Sequence, residues 1–137
     1  MNEQQIRDMK PGPEMDRLIA KTLYNARPCG LEGREDMFII IGDFGPNDAR
    51  PFLGGWYDRH WSTTEEKAWE SIPKYSIDIS AAWEIFVKFD MPILKKWFDQ
   101  DDTDWYTCRI GTIIISARTA PEAICKAALL AIGGAES

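Results

Sequence analysis

The stretch Ile93–Arg118, ILKKWFDQDDTDWYTCRIGTIIISAR, decides the fold class. It holds three runs rich in Ile, Trp, Tyr and Thr: Ile93–Asp99, Trp105–Ile110 and Thr112–Arg118. The turn Asp101-Asp102-Thr103-Asp104 separates the first two, and Gly111 breaks the second from the third. β-Branched and aromatic runs bounded by turn-forming residues read as consecutive strands. Connections this short force antiparallel pairing, because a parallel neighbour needs a long crossover.

Helices flank this stretch on both sides. Thr119-Ala120-Pro121-Glu122 has the form of a capping box, with Thr119 as N-cap and Glu122 at the third helical position. The helix it opens runs to Ile132 and stops at Gly133-Gly134. It is apolar almost all the way round, with Glu122 and Lys126 paired along one edge. A helix of that composition is either central to the fold or half of an oligomer interface.

Upstream, SIDISAAWEIFVKFD (Ser76–Asp90) places Ile79, Ala82, Trp83, Phe86 and Val87 at amphipathic spacing, with Ser76 or Asp78 as N-cap and Met91-Pro92 as the stop. Glu14–Asn25 shows the same spacing at Met15, Leu18, Ile19, Thr22 and Leu23, and Arg27-Pro28-Cys29-Gly30 ends it. Asn2–Met9 reads as a short helical turn and Asp36–Gly42, DMFIIIG, as a buried strand. Weaker signals mark a short strand at Phe52–Tyr57 and a helical turn at Thr63–Trp69. The chain is therefore expected to be α+β, a single domain over residues 1–137. Its core would be a central antiparallel sheet of about four to five strands, sandwiched by helices in α/β/α layers.

The composition narrows the partners. Of 137 residues, 45% are hydrophobic and 28% charged, values suited to a folded domain. Acidic residues (22) outnumber basic ones (16), giving a net charge of −6, which argues against bulk nucleic acid and anionic membranes. The longest apolar runs, Met37–Ile41 and Ala127–Ile132, are far shorter than the roughly 20 residues of a membrane helix. The first residues, MNEQQIRDMKPGPE, lack the apolar core of a signal peptide. Cys29, Cys108 and Cys125 are odd in number and far apart, as expected of free thiols in a reducing compartment.

Three motifs carry the resemblance of this chain to a known family. They are Glu14-Met15-Asp16-Arg17-Leu18-Ile19-Ala20, Pro73-Lys74-Tyr75-Ser76-Ile77-Asp78-Ile79-Ser80-Ala81-Ala82-Trp83 and Thr119-Ala120-Pro121-Glu122-Ala123-Ile124-Cys125-Lys126-Ala127-Ala128-Leu129. Together they resemble the phage ABA sandwich domain family. Ile77 stands where Thr is usual there, and Lys126 where Arg is usual. The resemblance implies helix–sheet–helix layering, a phage or prophage gene and a setting in the cytoplasm of the host bacterium. It brings no chemistry that transfers to particular residues.

A long loop at about 43–75 is the stretch most suggestive of function. Phe52, Trp56, Tyr57, Trp61 and Trp69 are interleaved there with Arg50, Arg59 and His60. Aromatic rings with guanidinium groups can stack a base and hold a phosphate, and equally can anchor a core or a subunit interface. Tyr75 and Ser76 sit before a helix start, where anions are favoured, and Arg109 lies near a strand end. The expected ligand-binding set is therefore Arg50, Trp56, Tyr57, Arg59, His60, Trp61, Tyr75, Ser76 and Arg109.

No catalytic residue, metal ligand or cofactor is expected. His60 lacks a partner at a telling spacing, and phosphate-loop and dinucleotide fingerprints are absent. The run from Asp99 to Asp104 has Asp104 and Ile110 where a calcium loop needs Gly and Glu. On these grounds the chain is expected to be a non-enzymatic phage anti-defence protein. It would act as a sponge, binding a host immune nucleotide signal, cyclic or NAD-derived, and its apolar last helix would build a homo-oligomer. The alternative is an interaction protein that blocks a host protein. A signal-degrading phosphodiesterase fits the residues least.

Overall fold

The computed structural model describes residues 2–31, 34–42 and 62–133. In chain order its elements are α1 (Glu3–Asp8), α2 (Pro13–Tyr24), β1 (Arg27–Leu31), β2 (Arg34–Ile41), α3 (Glu65–Trp69), α4 (Ile79–Phe86), β3 (Ile93–Phe98), β4 (Asp104–Ile110), β5 (Ile113–Ala117) and α5 (Ala120–Gly133). They fall into two compact units, one of Met1–Met15 with Lys74–Ser137 and one of Asp16–Pro73.

The first unit is built on the three-stranded meander anticipated for residues 93–118. β3 pairs with β4 and β4 with β5, both antiparallel, in registers that set Trp97 opposite Trp105 and Thr107 opposite Ser116. Asp102 and Gly111 turn the chain between strands with φ of 58° and 61°, a left-handed conformation that Asp tolerates and Gly adopts freely. Alternation along the strands then sorts the side chains. Cys108, Ile110, Ile115 and Ala117 are buried on one face, and α5 packs across that face against β4 and β5.

α5 is the centre of this unit. From Ala120 to Leu130 every residue except Glu122 is buried, with α4 and α1 packed against it as well. Its all-round apolar surface is thus consumed within the unit, which removes the reason to assign it to an oligomer interface. The cap forms by half. Thr119 Oγ1 accepts the Glu122 N–H at 3.3 Å, but the Glu122 carboxylate turns to Lys126 instead of back to the cap.

Lys126 is the one cation in the helix, and it is buried. Its ammonium donates to Glu122 Oε2 at 2.8 Å and to the Arg7 carbonyl at 2.7 Å. Arg7 lies in the last turn of α1, where carbonyls lack helical partners and the dipole favours a positive charge. A second tie joins distant segments. Ser76 Oγ accepts the Gly12 N–H at 2.8 Å and donates to the Gly12 carbonyl at 3.3 Å.

The second unit contains the β1–β2 hairpin, which sets Arg27 opposite Ile41 and Cys29 opposite Ile39. The Arg27–Gly30 stretch does end α2, but it also enters this strand. Pro28 is tolerated because each strand of a two-stranded sheet has a free edge. Ser62 extends the pairing through two 2.8 Å bonds with the backbone of Phe38. Thr64 then caps α3 by accepting the Lys67 N–H at 3.1 Å, so a helix stands where a helical turn is predicted within the long loop. Trp69 is buried under two cations, the Arg17 guanidinium at 4.9 Å and the Lys21 ammonium at 5.1 Å from its ring centroid. Arg17 in turn bonds Glu66 at 2.7 Å and holds that carboxyl below its ordinary range.

The α+β class is as expected, but a central sheet of about four to five strands is not what forms. The strands divide into a two-stranded sheet, β1-β2, and a three-stranded sheet, β3-β4-β5. Each strand pairs with its neighbour in sequence. Between Ile41 and Ile93, the described residues offer only the isolated bridge at Ser62 to extend either sheet. Phe52–Tyr57 lies outside the described residues.

The buried ammonium gives a direct test of the first unit. Lys126→Met leaves the Glu122 carboxylate and the Arg7 carbonyl without their donor, and should cost about 3 kcal/mol in urea unfolding. Lys126→Arg, which keeps the charge, should cost clearly less.

Candidate functional site

α4 has two apolar sides. Ala81, Ala82, Ile85 and Phe86 are buried, whereas Ile79, Trp83 and Val87, four residues apart on the same helix face, are 48%, 48% and 59% exposed. The predicted core stripe of this helix therefore mixes its two sides. Ser80, Glu84 and Lys88 are its only polar residues from Ile79 to Lys88. One neighbouring helix cannot cover so much apolar surface, and the exposed side is left to form the wall of a cleft. The Trp83 ring is fixed there by stacking on Phe86, with centroids 4.7 Å apart and planes 24° from parallel.

The floor of the cleft is the sheet beyond the start of α5. Tyr106 shares the face of Cys108 and Ile110, which α5 covers, but lies short of full cover and is half-buried. Leu94 and Asp104 flank it, and Arg118 with Thr119, Ala120 and Pro121 borders the far side of an open cleft of about 570 Å³. The Lys96 ammonium stands 5.9 Å from the Tyr106 ring and 3.9 Å from Asp104. Pro121 has no N–H, and the Thr119 hydroxyl takes that of Glu122. Arg118 lines the cleft, but its guanidinium lies over Trp105 on the other face, so an anion here would have to draw it round. The cleft pairs apolar and aromatic walls with few polar groups, the usual make-up of a small-molecule site.

On the opposite face Lys95, Trp97, Arg109, Ile114 and Ser116 are exposed. Trp97 and Trp105 stack with centroids 5.9 Å apart and planes 17° from parallel, and the Arg118 guanidinium lies 5.5 Å over the Trp105 ring. Both indole N–H groups are engaged. Trp97 donates to Thr107 Oγ1 at 2.8 Å, that oxygen shares a 2.7 Å bond with Ser116 Oγ, and Trp105 donates to Asp99 Oδ2 at 2.9 Å.

Asp99 organises the turn below. Its Oδ1 accepts the N–H groups of Asp101 at 2.8 Å and Thr103 at 3.0 Å. The indole bond of Trp105, then these amides, hold its carboxyl below the usual range. These donors occupy the carboxylate that a calcium reading of the run would need. Among the described residues no cluster of three or more His, Cys, Asp or Glu side chains is arranged to hold a metal ion.

Of the residues picked from sequence, Arg50, Trp56, Tyr57, Arg59, His60 and Trp61 lie outside the described residues. Tyr75 and Ser76 have no exposed surface, and the Ser76 hydroxyl ties down Gly12, so both serve the interior. The helix cap beside them is Asp78, whose carboxylate accepts the Ser80 N–H at 2.9 Å. Arg109 is exposed on the open sheet face, with its Nε donating to the Gly111 carbonyl at 3.2 Å. Trp83 and Tyr106 were not singled out. The surplus of apolar residues around α4 is the signal that points to Trp83.

The phage ABA sandwich domain family matches residues 34–129, more than half of the chain. The chain belongs to the phage ABA sandwich domain family. Among solved structures it is similar to a phage protein from Bacillus cereus, at 25% identity and a TM-score of 0.47, over 88% of this chain and 90% of that one. No curated protein matches it. No helix among the described residues is long and apolar enough to cross a membrane.

Two outcomes follow. The depressed carboxyl of Asp99 contributes stability above the ordinary Asp range, lost as pH falls through its lowered folded value. Tryptophan emission followed down an acid titration should show this step, and Asp99→Asn should remove it. The thiols give the second. Cys108 and Cys125 are buried, and burial pushes the Cys108 thiol up to about 11, whereas Cys29 is half-buried. A thiol reagent at neutral pH should titrate Cys29 in the native protein, and all three cysteines only after denaturation.

Proposed function

We propose that this phage-family protein is a non-enzymatic anti-defence sponge, which sequesters a host immune nucleotide in the host cytoplasm. The observation that carries the reading is the cleft between α4 and the start of α5. In this reading a nucleobase stacks on Trp83 or Tyr106, and Arg118 swings from Trp105 to take a phosphate. The volume of about 570 Å³ suits a ligand of nucleotide size. A sink needs affinity and abundance, and the aromatic, apolar and guanidinium side chains here supply affinity without an activated nucleophile. Several copies assembling through a surface other than α5 would raise its capacity.

The exposed side of α4 supports a second reading, in which the protein docks on and inhibits a host protein. Val87 extends the Ile79–Trp83 stripe beyond the cleft, and the nearby Met91 is 91% exposed. Apolar residues in a row of this kind suit an amphipathic contact.

Ultrafiltration separates the two. The purified protein is mixed with cyclic dinucleotides and NAD-derived nucleotides, and the retained fraction is heat-denatured and read by mass spectrometry. Sequestration predicts a nucleotide depleted from the filtrate and released intact. Arg118→Ala should weaken retention about tenfold or more, the worth of a charge-assisted bond, and Trp83→Ala by a similar factor. A nucleotide returned as a product overturns the sponge in favour of an enzyme. No depletion, together with host inhibition lost in Val87→Asp, favours docking on a host protein.

A further inference from the structure

The open face of the β3–β5 sheet has a chemistry unlike that of the chain as a whole. Strand alternation and the register bring Lys95 and Trp97 on β3, Trp105, Thr107 and Arg109 on β4, and Ser116 on β5 to this face. Arg118, just past β5, joins them over Trp105. Lys95, Arg109 and Arg118 are all exposed, and no acidic residue takes a strand position on this face, in a chain of net charge −6. Asp99 and Asp101 lie at the rim beside Trp97, and Asp99 is bonded to Trp105, its carboxyl lowered by that bond and in part by the charge of Arg118.

The indoles are already set. Because the Trp97 N–H is held by Thr107, what Trp97 still presents is ring surface, and it is 42% exposed. The hydrogen-bonded line from Trp97 through Thr107 to Ser116 crosses all three strands and limits the side-chain freedom that binding would otherwise remove. Fixed rings with Lys95, Arg109 and Arg118 on the same sheet face, bordered by exposed Ile93 and Ile114 and by Asp99 and Asp101 at the turn, offer a base-stacking surface with cations in reach of phosphates.

We infer that this face binds a short single-stranded nucleic acid, with a base stacked on the Trp97–Trp105 pair and phosphates held by Lys95, Arg109 and Arg118. Net charge argues against bulk nucleic acid, whereas this face presents Lys95, Arg109 and Arg118 locally. An acidic peptide would satisfy the cations but leave the ring surface unused. Nucleic acid uses both. The inference shares Arg118 with the α4 cleft but rests on Trp97 and Trp105, which do not line it.

Fluorescence anisotropy with a labelled oligothymidylate of about ten nucleotides tests this. Binding at a salt concentration of about 50 mM, with tryptophan quenching, is expected. Affinity should fall with salt at a log–log slope of about −2, the value for three neutralised phosphates on a single strand. Trp97→Ala should weaken binding about tenfold and Trp97→Phe should restore most of it. Lys95→Glu with Arg109→Glu should abolish it, and Trp83→Ala should leave it unchanged. Circular dichroism confirms that each variant is folded. The inference is overturned by no binding at low salt, by equal affinity for Trp97→Ala, or by equal affinity for duplex DNA or polyglutamate. Nucleotide retention in the α4 cleft is measured on the same Trp97→Ala protein, so failure of one site is told apart from failure of the other.

Discussion

The first unit depends on an ammonium group that is almost wholly buried. α5 can serve as the centre of packing only if nearly all of its surface is apolar, yet Lys126 sits in its middle turns. The charge is tolerable because it has two close acceptors, one from its own helix and one from the end of α1. That arrangement does more than neutralise a buried cation. It specifies which residue of α1 meets which turn of α5, a choice that interchangeable Ala, Ile and Leu side chains would leave loose. With α5 fixed, one face of the meander is covered, and the other is left to carry polar and aromatic groups.

Where α5 begins is as consequential as where it lies. Its first turn starts past Tyr106, so the end of the sheet is left uncovered, and the second apolar side of α4 overlooks the gap. The cleft is thus a by-product of element lengths. A sheet longer than its covering helix, beside a helix with more apolar surface than its neighbour can take, leaves a recess lined by rings. The same strands present Trp97 and Trp105 on the far side, because alternation sends odd and even positions of β4 to opposite faces.

Much of this was legible in the sequence, and unevenly so. The meander was readable because turn chemistry and β-branched runs agree at every position from Ile93 to Arg118. The last helix was readable from Thr119 and the glycines at its end. Sheet extent was not, because strand runs look alike whether or not they join one sheet; nothing in DMFIIIG says which partner it will find. The core side of α4 was misread for a related reason, since Ile79, Trp83 and Val87 repeat as regularly as the residues that are buried. Tyr75 and Ser76 show the converse. Their chemistry suits a ligand, but burial and the bond to Gly12 assign them to the interior. Their family-like motif thus records a structural tie as readily as a site.

Arg118 belongs to both sides of the sheet's end, since it lines the cleft and lies over Trp105. One guanidinium cannot serve a ligand in the cleft and remain stacked on the indole with the same geometry. Under the two proposals above, ligands on the two sides would compete for this guanidinium, and linkage would make the antagonism equal in both directions. Trp105, which lies under that guanidinium, would report the exchange in its emission.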